Sequence, residues 1–110
     1  MKVTNWHDAK PVEELQGVLK REVITAEDGA PNFSMRVFEV QAGSSTPSHS
    51  HSFEHEVFIL AGKGVVVGEQ GAIPISKECV VFVSPNETHC FVNTGNEPLR
   101  FICVIPLQAE

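Results

Sequence analysis

Basic side chains are scarce in this chain: 8 lysines and arginines stand against 14 aspartates and glutamates, a net charge of −6. A nucleic-acid-binding surface needs a clustered basic footprint, and none is present, so nucleic acid is not expected as a partner. Acidity of this size serves solubility. Long apolar runs are missing as well. No stretch reaches the roughly 20 residues that a membrane-spanning helix needs, and no membrane partner is expected. The first residues, Met1-Lys2-Val3-Thr4-Asn5-Trp6-His7-Asp8, lack the apolar core of a secretory signal. Cysteine is sparse, odd in number and widely spaced, at Cys79, Cys90 and Cys103. That usage excludes a disulfide framework and reads as reduced thiols in a cytoplasmic protein. Internal repeats, low-complexity tracts and interdomain linkers are absent too.

What is present is a chain of 110 residues, the size of one ordinary domain. Short runs rich in Val, Ile and Phe recur at 18–25, 33–40, 56–60, 64–67, 72–75, 79–83, 90–92 and 99–105. Gly, Pro, Asn and Ser punctuate them, and the spacing is that of an all-β sandwich or barrel. Residues 68–71, Gly68-Glu69-Gln70-Gly71, read as a hairpin loop between two strands. Gly62 and Asn86 sit where a turn asks for a left-handed backbone. The first 32 residues differ. Residues 11–16 are expected to form one helical turn and residues 26–31 a loop. Trp6, Val12, Leu15, Val18 and Leu19 all need apolar cover. This segment is expected to be an arm, 1–32, packing on a barrel, 33–110, or on a partner subunit.

Histidine carries the chemistry. Three of the five histidines fall within seven residues, His49-Ser50-His51-Ser52-Phe53-Glu54-His55, and His89 follows after a Ser84-Pro85-Asn86-Glu87-Thr88 turn. Neutral imidazole is a frequent ligand for Zn, Cu, Fe and Ni. Residues two apart on a strand project to one face, so His49 and His51 point together and His55 shares their parity. His89 arrives from another strand. His7 lies in the polar N-terminal segment and is expected to be exposed.

These residues resemble the cupin superfamily. Its first motif runs Gly, five residues, His-x-His, three or four residues, Glu, six residues, Gly. Here Gly43, His49, His51, His55 and Gly62 keep that spacing, with His55 in the glutamate position. The second motif runs Gly, five residues, Pro-x-Gly, two residues, His, three residues, Asn. Glu78, Ser84, Pro85, Asn86, His89 and Asn93 keep this spacing too, departing in residue type at Glu78, Ser84 and Asn86. Glu54 and Glu56 flank His55, but the count to Gly62 selects His55. The chain also resembles small single-domain cupins whose metal site is four histidines, often holding manganese. The resemblance implies an all-β cupin-type double-stranded β-helix, a jelly-roll barrel of one domain. It further implies one divalent transition metal on His49, His51, His55 and His89. Mn is favoured; Fe, Zn, Ni or Cu would also suit.

Four neutral ligands leave the charge of such an ion uncompensated, which favours a small anionic ligand such as a carboxylate or enolate. The expected function is therefore a metal-dependent oxidoreductase, dioxygenase-like, acting on a small anionic or enolisable molecule. A metal-dependent isomerase or hydrolase would share the site, and a non-catalytic binding module would use the same barrel. A closed structural zinc is the bland reading, although such sites usually recruit cysteine. Arg36, Phe91, Phe101 and Cys103 are expected to line the substrate pocket. Arg36 has apolar parity mates, Phe38 and Val40, and an arginine on such a face wants an anion. Phe91 shares the face of His89. Phe101 and Cys103 share one face of the last strand, where Cys103 is either a pocket thiol or a small buried hydrophobe. A homodimer is expected, two-fold pairs being the commonest soluble assembly.

Overall fold

A computed structural model describes residues 1–107. The chain forms nine strands: β1 (Pro11–Leu15), β2 (Val18–Ile24), β3 (Phe33–Val40), β4 (His55–Ala61), β5 (Lys63–Gly68), β6 (Gly71–Ser76), β7 (Val80–Val83), β8 (Cys90–Asn93) and β9 (Leu99–Pro106). They make a six-stranded sheet, β1-β2-β3-β9-β4-β7, and a three-stranded sheet, β6-β5-β8. Every pairing is antiparallel. This is the expected all-β architecture of one small domain, with two sheets enclosing one core. Among the described residues no helix is long and apolar enough to cross a membrane.

Period-two patterning builds that core. Along β9 burial alternates strictly, with Leu99, Phe101, Cys103 and Ile105 inward and Arg100, Ile102 and Val104 less covered. Register carries the inward face across the sheet. Val40, Phe38, Arg36 and Ser34 on β3 stand opposite Leu99, Phe101, Cys103 and Ile105. Val57 and Ile59 on β4 continue these rows opposite Cys103 and Phe101. Val66, Ile75 and Phe91 from the smaller sheet close over them.

Residues 11–16 are not a helical turn: Pro11–Leu15 is strand β1, laddered onto β2. Gly17, at φ +85°, reverses the chain between them, and the ladder it permits outweighs the local helical preference of Glu13, Glu14 and Leu15. The expected loop at 26–31 contains a 3-10 turn, Ala26–Asp28, with a capping box between Thr25 and Asp28. The hairpin at 68–71 forms as expected between β5 and β6.

The outer face of the large sheet is organised by charge. Glu39 is buried and accepts from Arg21 Nη1 and, at 2.8 Å, from Arg100 Nε. Burial alone would raise its pKa; the hydrogen bonds from Arg100 and Arg21 outweigh that and hold it below the usual value. Trp6 lies over both guanidinium groups, 5.3 and 6.0 Å from its ring centroid. Arg21 Nε also donates to the Ala9 carbonyl, so the N-terminal residues are tied to the back of the sheet whose front carries the site.

Candidate metal centre

Three loops and strands bring the four histidines to one end of the barrel. His49 and His89 form an isolated antiparallel bridge. Asn86 N–H donates to the His51 carbonyl at 2.6 Å, which fastens the second motif's turn onto the first motif. His55 begins β4. Phe53 stacks on His51 at 4.7 Å and lies 5.2 Å from His55. That backing contact was not anticipated from sequence, although Phe53 is the lone aromatic among those histidines.

Neighbouring imidazole rings close a circuit: His49–His51 4.4 Å, His51–His55 5.4 Å, His55–His89 4.8 Å and His89–His49 5.3 Å between centroids. With metal–nitrogen bonds of about 2.1 Å, rings sharing one ion at right angles stand roughly 4.5 Å apart, and at tetrahedral angles roughly 5 Å. Among the described residues no group of three or more His, Cys, Asp or Glu is already closed as a ligand set. The rings have ligand spacing without converging on one point.

The donor chemistry fits an ion. Burial, then the neighbouring histidines and Arg36, push His55 down to about 4. Burial, then His51 and His89, lower His49, and burial, then His89 and Arg36, lower His51. Neutral rings with free lone pairs are what a metal requires. The His89 Nδ1–H donates to the Glu87 carbonyl at 2.9 Å. A carbonyl can only accept, so the tautomer is fixed and Nε2 keeps the lone pair. His55 Nδ1 is buried with no hydrogen-bond partner, an orphan that a ligand would satisfy.

The histidines open onto a cavity of about 340 Å³, the size of a small-ligand site. Arg36, Phe91, Phe101 and Cys103 all line it, as do Glu14 and Lys20 at its edge. Glu54 and Glu56 are exposed, because alternation along β4 turns Glu56 outward where His55 turns in. Phe101 stacks between Phe38 and Phe91, at 5.1 and 4.5 Å, making the inner wall apolar. Burial raises the Cys103 thiol above its ordinary pKa against the opposing pull of Arg36. His7 is exposed, stacked on Trp6. Glu14 and Lys20 were not foreseen as pocket residues. They reach the site only because the β1–β2 hairpin extends the sheet past it, a placement with no local sequence signal.

Several motif positions prove to be structural. Asn93 is buried, donates to the Val40 and Glu97 carbonyls at 2.8 and 2.7 Å, and accepts from Gly95 N–H at 2.8 Å. Gly62 has φ +86°, and a Cβ there would meet the Pro98 carbonyl oxygen at 2.5 Å. Glu78 and Asn86, which replace motif glycines, adopt φ +76° and +68°. The glycine conformation is kept where the glycine is not.

Residues 36–105 match the cupin domain family. An oxalate-binding protein of Thermotoga maritima is 32% identical over 110 residues, covering 96% of this chain and 85% of that protein. Among solved structures, the polyketide cyclase RemF from Streptomyces resistomycificus superposes with a TM-score of 0.89 at 33% identity, covering 97% of this chain and 80% of that one. A predicted oxalate decarboxylase of Thermotoga maritima superposes with a TM-score of 0.83 at 28% identity, covering 96% and 99%.

Proposed function

The chain belongs to the cupin family, and from that premise we propose that His49, His51, His55 and His89 hold one divalent transition metal that binds a small anionic or enolisable substrate. Manganese is the favoured ion, with Fe, Zn, Ni or Cu within the range of an all-imidazole set. The observation that carries the reading is the circuit of four imidazoles facing one cavity. A bound divalent ion supplies Lewis-acid polarisation of a carbonyl or carboxylate and, where the metal is redox-active, access to oxygen chemistry.

The chain's own residues do the rest. The Glu87 carbonyl orients His89, and Phe53 backs His51 and His55. Phe38, Phe91 and Phe101 keep water from the inner wall, which strengthens electrostatic attraction inside. Glu14 is paired with Lys20 at 3.0 Å, so the one carboxylate among the described residues lining the cavity is engaged. Chemistry centred on the ion follows, and a dioxygenase-like oxidoreductase is the favoured reaction class.

A second reading, non-oxidative turnover of an enolisable substrate by an isomerase-, hydrolase- or cyclase-type enzyme, draws support from the likeness to a polyketide cyclase. Elemental analysis of the purified protein, paired with dioxygen uptake against a panel of enols and carboxylates, decides between them. One metal per chain with substrate-dependent uptake supports the oxidoreductase. Product formation without uptake supports the second reading, and a protein that binds no metal removes both.

The same proposal includes the assembly and the setting. The 1–32 arm and the 33–110 barrel, whose residues 108–110 lie outside the described residues, make one unit. Val12 and Leu15 remain exposed on the arm, as do Val80 and Phe82 on the edge strand β7. Those surfaces favour a homodimer. Light scattering should give twice the 12.0 kDa chain mass; the monomer mass at micromolar concentration refutes it. A cytoplasmic location rests on the three free cysteines.

A further inference from the structure

Arg36 is the one cationic side chain lining the cavity that has no carboxylate partner among the described residues. The chain has acidic residues to spare, 14 against 8 basic, and its other two half-buried arginines, Arg21 and Arg100, both pair with Glu39. Lys20, the other cation at the cavity, is taken by Glu14 and Glu22. Arg36 instead donates from Nη2 to the Cys103 sulfur at 3.3 Å, a weak acceptor. Its guanidinium carbon lies 5.3 Å from the Phe38 ring centroid, and its Nε is buried with no partner. A guanidinium desolvated on this scale is unfavourable unless an anion completes it.

Register places this charge relative to the histidines. Arg36 stands opposite Cys103, and Cys103 opposite Val57. His55 lies one inward step along β4 from Val57, on the same buried face. Arg36 is thus two strand spacings, about 10 Å at the backbone, across the sheet from the ligand strand. Its side chain covers part of that distance toward the cavity.

Resting on the metal-centre reading above, we infer that the ligand is a short dianion held at both ends. One anionic group meets the ion on the histidines, and a second, a carboxylate or its equivalent, meets the free edge of the Arg36 guanidinium. Two separated positive positions in a cavity of about 340 Å³ discriminate for a second charge, because a monoanion leaves the arginine bare. The planar fork of arginine favours a carboxylate in a two-bond contact.

The test uses the manganese-loaded protein and its Arg36→Gln, Arg36→Lys and Arg36→Met variants. Azide, malonate and succinate are titrated calorimetrically, with metal content measured alongside. In the native protein at least one dicarboxylate should bind at least about 10-fold more tightly than azide. Arg36→Gln and Arg36→Met should weaken dicarboxylate binding about 10- to 100-fold, the scale of a charge-assisted contact, while azide affinity and metal content change less than about 3-fold. Arg36→Lys should recover part of the loss. Thermal melting adds a readout of a different kind: with no ligand present, Arg36→Met should melt no lower than the native protein, since it removes an uncompensated buried charge. Unchanged dicarboxylate affinity in the Gln and Met variants, with azide still bound, overturns the inference and leaves the metal centre standing. A native protein that carries the metal and binds neither azide nor dicarboxylate overturns both. A large loss of melting temperature in all three variants shows a structural arginine and also overturns it.

Discussion

His49 and His89 are joined by reciprocal backbone hydrogen bonds: His49 N–H donates to the His89 carbonyl at 3.2 Å, and His89 N–H to the His49 carbonyl at 3.0 Å. The two motifs are therefore held in register by main chain, independently of either side chain. An imidazole can be removed without dismantling the bridge that positions its neighbours.

Single His→Ala changes at 49, 51, 55 and 89 should then keep the native far-ultraviolet dichroism and lose metal. Removing groups that merely orient a ligand weakens metal binding about 10- to 100-fold, so losing a ligand should exceed that. Glu54→Ala and Glu56→Ala, on exposed residues, should keep full occupancy. Metal analysis after gel filtration is the check; full occupancy in His55→Ala would move the third ligand elsewhere.

The metal-free protein should lose stability in mild acid. His55 lies at about 4 in the folded chain against 6.5 unfolded, with burial the leading cause. As pH falls below 6.5 the unfolded chain takes up a proton that the folded chain refuses, so folding weakens between 6.5 and about 4 and levels off below. The loss is on the order of 2 kcal/mol for His55, with His49 and His51 adding less because water screens them. Urea melts of the apo-protein at pH 7, 5.5 and 4.5 should show midpoints falling in that order. A flat profile contradicts the assigned burial.

Glu78 holds φ +76° on the turn before β7, a conformation that costs a non-glycine residue about 1 kcal/mol or more. Glu78→Gly should raise stability by about 0.5–1 kcal/mol after the extra flexibility of glycine in the unfolded chain is counted. Asn86→Gly should gain less, because asparagine tolerates that region better. Thermal melting of both variants measures this; a lower melting temperature for Glu78→Gly would show that its side chain contributes contacts worth more than the strain.

The four histidines that the fold gathers and the inward face of β9 were legible because their signals are local. The spacing from Gly43 to Gly62 and from Glu78 to Asn93 fixes positions along the chain, and alternation in β9 fixes which of its residues face inward. Strand β1 was not legible. All five of its residues are exposed, so it carries no alternation, and only the reversal at Gly17 and the ladder to β2 make it a strand. Glu14 was invisible as a pocket residue for the same reason, and Lys20 because only the β1–β2 ladder sets it beside Glu14 at the cavity. Arg36 was legible as an anomaly, a charge among apolar parity mates. Its lack of a partner became visible only when the register set it against Cys103 instead of a carboxylate.

Anomalous diffraction from crystals of the manganese-loaded protein would locate the ion proposed for the four histidines. One peak per chain is expected, bonded to His49, His51, His55 and His89 at about 2.0–2.3 Å, with coordination positions left open to the cavity. A peak at other residues, or a tetrahedral ion closed by the four rings with no position left for a ligand, would contradict the proposal.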